Sequence, residues 1–166
     1  MPKDPSADRV HPTGVGPDYD KTASLIRNAT RLVGAVFLLV GVLGFVPGIT
    51  TNFDELKFAG HESGAELLGV FQVSILHNIV HLLFGVAGLA LAKTARSATA
   101  YLVGGGVIYL VLAVYGAVID AEESANFVPV NNADDLLHLV LGLGMVGLGL
   151  VGLRARPGTV GAGGPA

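Results

Sequence analysis

The sequence predicts an all-α integral membrane protein, a bundle of four spanning helices. Three observations carry this. Of 166 residues, 51% are hydrophobic and only 14% charged, with a mean hydropathy of +0.62; a soluble domain would be about one-quarter charged. Four apolar runs stand apart from one another, each close to the ~20 residues that cross a ~30 Å hydrocarbon core at 1.5 Å per residue. None of the runs has the polar face that a water-exposed helix needs.

Residues 1–22 carry four prolines, mixed charge and little apolar content, and read as a disordered tail. Residues 23–154 form the helical domain. Its first span is 28–46, halted by Pro47-Gly48. The second is 72–92, halted by Lys93, and the third is 98–119, halted by Asp120. The fourth is 135–153, halted by Arg154, after which 155–166 reads as a second flexible tail. Many of the 24 glycines lie inside the apolar runs, where small residues let membrane helices approach closely.

The loops set the expected orientation. Lys3, Arg9, Lys21, Arg27, Arg31, Lys93, Arg96, Arg154 and Arg156 fall on one side, and Lys57 alone on the other. By the positive-inside rule both termini are expected in the cytoplasm, with the protein in the cytoplasmic membrane. The opposite loops hold scattered acids. In 49–66 four carboxylates and His61 alternate with Phe53 and Phe58, read as solvated charges and interfacial anchors. In NFVPVNNADDLLH, 126–138, the expected N-cap is Asn132, with Asp135 three residues on near the positive end of the helix dipole.

A weak internal duplication is visible. Leu32-Val33-Gly34 matches Leu102-Val103-Gly104, and His81-Leu82-x-x-Gly85 matches His138-Leu139-x-x-Gly142. Two helices per unit give both halves the same orientation, so a pseudo-twofold axis would lie along the membrane normal.

The residues with chemical potential are concentrated in the second span. Placed on a helix, Ser74, His77, Asn78, His81, Gly85, Gly88 and Ala92 follow spacings of three and four and form one stripe. That polar and small stripe is expected to face the bundle, with Leu76, Ile79, Val80, Leu83, Val86 and Ala90 on the other side, facing lipid. His77 and His81 form an i,i+4 pair. A metal would need further ligands, and His138, His61, Glu66 and Asp134 are the candidates. Counted from the basic helix ends, His138 lies level with His77, whereas the repeat pairs it with His81. Tyr109 is the hydroxyl near the centre of the third span and is expected to bond a neighbour.

Other chemistries find no residues. The chain has no cysteine, which excludes disulfides, thiolate metal sites and covalently attached haem. It has no Walker A loop, HExxH, GxSxG or Rossmann glycine pattern. A net charge of −3 without a basic stripe gives no reason to expect nucleic acid. No acid, lysine or arginine lies deep in a span, as pumps and proton relays require.

The segments GITTNFDELKFAG, GVFQVSILHNIVHLLFGVAGL and ANFVPVNNADDLLHLVLGLGM resemble the small four-span bacterial membrane proteins, common in actinobacteria, grouped as domain of unknown function 4383. The resemblance spans roughly residues 28–153. It implies a multi-pass membrane protein and brings no activity, cofactor or catalytic residue with it.

The expected function is non-enzymatic: an accessory or structural component of the membrane, alone, as a homo-oligomer or within a larger complex, with no cofactor. The alternative is a haem- or metal-binding electron-transfer protein using His77, His81 and His138. A second alternative is a small transporter or channel.

Overall fold

The computed structural model describes residues 17–119 and 127–155. Four helices dominate it: α1 (Pro17–Leu43), α2 (Ile75–Leu91), α3 (Ala95–Val118) and α4 (Asn132–Arg154). Three of them, α1, α3 and α4, are long and apolar enough to cross a membrane; α2 is apolar but has 17 residues, or about 26 Å of helix.

The first helix starts earlier than its apolar run. Residues 17–22, expected in the tail, are helical: Pro17 occupies the first helical position and Asp18 and Asp20 the first turn. Proline with fixed φ, followed by acids against the helix dipole, is a helix-start signature. The tail reading for 1–16 and 156–166, and the acids at 120–126, lie outside the described residues.

Glycines set the packing of each helix pair. In α1, Ile26, Thr30, Gly34, Phe37 and Gly41 are buried at spacings of three and four, and Gly44, just past the helix, continues the buried row. Gly34 packs against Gly85 and Gly88 of α2; a Cβ at Gly85 would fall 2.8 Å from the Gly34 carbonyl oxygen. In the other pair Gly106 of α3 meets Gly142 of α4, and a Cβ at Gly142 would fall 3.0 Å from the Gly106 oxygen. In each pair the helices run antiparallel with backbones in near contact.

These contacts move the register of the duplication. Gly85 lies against Gly34 and Leu38, and Gly142 against Gly106 and Leu110. The counterpart of Gly34 is therefore Gly106, two residues beyond Gly104, whose missing side chain faces open space. GAVFL (34–38) aligns with GVIYL (106–110), and the Leu-Val-Gly match is a coincidence of glycine-rich sequence. The His81/His138 alignment holds, and the same offset equates Ser74 with Asn131, the N-caps of α2 and α4.

A small cap covers the end of the bundle where α1 finishes and α2 starts. Strands β1 (Thr50–Thr51), β2 (Glu66–Leu67) and β3 (Phe71–Gln72) form an antiparallel sheet in the order β1-β2-β3. It was not expected, because two-residue strands carry no measurable alternation. It replaces the start of the second span, so α2 begins at Ile75 rather than 72. The Lys57 and Phe58 carbonyls accept from the Ile75 and Leu76 amides, and Ser74 takes the next two through its Oγ and its carbonyl. All four donors at the N-terminus of α2 are thereby satisfied inside the protein.

The cap also holds α4. Its N-cap is Asn131, not Asn132, and with Asp134 it forms a capping box. Asp134 Oδ2 accepts from the Asn131 amide at 3.1 Å and from the Gln72 amide of β3 at 3.0 Å. Asn131 Nδ2 donates to the Val70 carbonyl at 2.8 Å. The cap is thus shifted by one residue, so that Asp134, not Asp135, takes the position three after it.

Candidate functional site

Below the cap, α2, α3 and α4 bring three histidines and a tyrosine together. The polar and small stripe of α2 is buried as a whole: Ser74, His77, Asn78, His81, Gly85, Gly88 and Ala92 all face the interior. Ile79, Val80, Leu83 and Val86 lie on the exposed side. Ser74 belongs to the stripe but acts as the helix cap. His138 is buried on α4 and Tyr109 on α3.

The rings form a connected cluster. His77 and His81 stack with centroids 4.6 Å apart and planes tilted 23°. His77 and His138 are 6.2 Å apart, and Tyr109 meets the His138 ring edge-on at 5.2 Å. His138 contacts the His77 ring, and Tyr109 connects it to His81.

Proton positions follow from the partners. His81 Nδ1 lies 3.0 Å from the His77 carbonyl, which can only accept, so Nδ1 carries the hydrogen. In the neutral ring Nε2 is then the acceptor, and the Tyr109 hydroxyl donates to it across a long 3.4 Å. Phe37 of α1 backs this arrangement, stacked on Tyr109 and edge-on to His81. Tyr101 ties α3 to α2 one level further from the cap, donating to the Phe84 carbonyl at 3.0 Å.

Two nitrogens stand out. Nδ1 of His77 and Nδ1 of His138 are buried and have no hydrogen-bond partner. A buried polar atom without a partner costs about 1–3 kcal/mol. Both residues line a cavity of about 270 Å³ between α2, α3 and the 127–129 segment, together with His81, Phe84 and Tyr109.

The other proposed ligands are elsewhere. Asp134 is occupied by two backbone amides, and His61 contributes its carbonyl to the Gln72 side chain. Neither they nor Glu66 line the cavity. Among the described residues, no group of three or more His, Cys, Asp or Glu side chains is placed to hold a metal ion. The ring geometry gives the reason for His77 and His81: an ion bound by two imidazoles lies in the plane of both, and nearly parallel planes 4.6 Å apart meet nowhere near either nitrogen.

Tyr109 was legible as a polar group in a span, but its role as the junction between the histidines was not. Its signal is the match between GAVFL and GVIYL, which the competing Leu-Val-Gly match two residues away obscures. The cavity itself has no sequence signature, because it is bounded by residues from 74 to 138.

The family model described as domain of unknown function, DUF4383, matches residues 27–151. No curated protein and no solved structure matches the chain. The matched stretch runs from α1 to the last turn of α4 and contains the cap and the whole histidine cluster, and the chain belongs to the DUF4383 family.

Proposed function

We propose that this protein is a non-catalytic accessory component of the cytoplasmic membrane, with four spans and both termini in the cytoplasm. The observation that carries this reading is the packing of His77, His81, His138 and Tyr109 against one another at the junction of the two helix pairs. Such contacts act as cross-helix glue, each interhelical hydrogen bond contributing on the order of 0.6–2 kcal/mol in a membrane. Near-parallel stacking supports this role over ligation of an ion. A cavity of about 270 Å³ has no room for a tetrapyrrole, which would have to separate the helices to enter. The basic residues gathered near the termini support the orientation.

The test is purification in detergent, followed by a visible spectrum and metal analysis. The expected result is a protein without a Soret band and without stoichiometric metal. A stoichiometric haem or metal that is lost in His81→Ala would overturn the reading in favour of electron transfer. Flux through proteoliposomes above that of empty vesicles would overturn it in favour of a channel.

A further inference from the structure

We propose that the cavity under the cap is a binding site for the head group of a lipid-soluble quinone. Six planar rings line it: His77, His81, His138, Phe84, Tyr109 and Phe127. Phenylalanine and tyrosine together make up 7% of the chain, so this concentration around one void is a local feature. Flat aromatic walls select a flat ligand, which stacks or meets them edge-on. Among the described residues no acid, lysine or arginine lines the cavity, which suits an uncharged occupant.

Its polarity is fixed by what the walls lack. His77 and His138 each bring a buried Nδ1 without a partner; the His77 ring donates through its other nitrogen to the Pro129 carbonyl, so its Nδ1 accepts, while that of His138 donates or accepts according to its tautomer. A ring bearing oxygen, carbonyl when oxidised and hydroxyl when reduced, meets both possibilities. The Tyr109 hydroxyl, only loosely engaged at 3.4 Å from His81, is a third partner on the same wall.

The route in is lateral. Val80 of α2 and Ile108 of α3 line the cavity and are also 40% and 47% exposed, on the faces that helices of this composition turn to lipid. The mouth therefore opens into the hydrocarbon rather than into water. A void of about 270 Å³ admits a head group and not a whole lipid, so the tail remains between the mouth and the acyl chains. Flat, uncharged, oxygen-bearing and tailed describes a quinone. The proposal goes beyond the accessory role and does not depend on it, since quinone binding gives neither a Soret band nor a metal.

The test uses the full chain in detergent, a decyl-tailed benzoquinone as probe, and tyrosine fluorescence as readout. The chain has four tyrosines and no tryptophan, and Tyr109 lies on the cavity wall. The expected result is saturable quenching that weakens at least about tenfold in His138→Leu, which removes a hydrogen-bonding wall. Val80→Phe, at an exposed position that leaves the fold in place by circular dichroism, narrows the mouth and weakens binding comparably. Decanol, with the same tail and no planar head, does not displace the probe. Quenching that grows linearly with probe and is unchanged in Val80→Phe would be partition into the micelle and would overturn the proposal. Displacement by equal decanol would assign the cavity to any alkyl chain and overturn it as well.

Discussion

Phe37 and Tyr109 lie face to face, ring centroids 5.3 Å apart and planes 9° apart, at equivalent positions of the two repeated helix pairs. One side chain is apolar and the other carries the hydroxyl that reaches His81. The pair is where the two halves meet and also where they cease to be equivalent. Tyr109→Phe keeps the stack and removes only that long hydrogen bond, so it should cost about 0.6–1 kcal/mol. Phe37→Ala opens a void behind both rings and should cost about 3–5 kcal/mol. Unfolding titrations in mixed micelles distinguish the two; equal losses would refute the account of the junction.

The glycines separate into two groups with opposite expected behaviour. Gly85 and Gly142 have no space for a methyl group, whereas Gly144 and Gly147 have nothing within 4 Å of a built Cβ. Gly85→Ala and Gly142→Ala should each lower stability by about 1–3 kcal/mol through overpacking. Gly144→Ala and Gly147→Ala should be neutral or gain up to about 1 kcal/mol from helix propensity. The same unfolding titration reads all four.

Asp134 bridges the cap and α4 through two backbone amides. Asp134→Ala removes the capping box and the tie to β3 together and should cost about 1–3 kcal/mol. The loss should be local. Hydrogen exchange at the Gln72 and Asn131 amides should accelerate while the α1–α2 interface at Gly34 and Gly85 is unchanged.

Topology can be read with a single thiol, because the chain has none of its own. A membrane-impermeant maleimide should label Ala59→Cys, in the cap, in intact cells. Protection in intact cells with labelling after lysis would reverse the orientation.

The sequence reading and the structure part company for identifiable reasons. The buried faces were legible because a 3.6-residue period in an apolar run leaves only one side for His77, Asn78 and His81. Lengths were less so: α1 extends through Asp18, Asp20 and Lys21, residues that composition assigns to a tail and a helix start assigns to a first turn. The sheet was illegible because pairs such as Glu66–Leu67 and Phe71–Gln72 are too short to show alternation. They are held by side-chain bonds from Gln72 and Ser63 that no periodicity reports. The histidine cluster was half visible. Its members were identified from their types and depth, but the partner that joins them, Tyr109, required the register of Gly106 against Gly142.

The cap has a further consequence for how the two halves relate. Its strands all precede α2, yet through Gln72 and Val70 they secure the first turn of α4. One hairpin thus closes its neighbour as well as itself. If the chain is expressed as two pieces divided at the Lys93-Thr94 turn, the first piece carries the sheet and the second the helix end that the sheet secures. Reassembly would then depend on the N-terminal piece, and the apparent twofold likeness of the helices conceals a donor and a recipient.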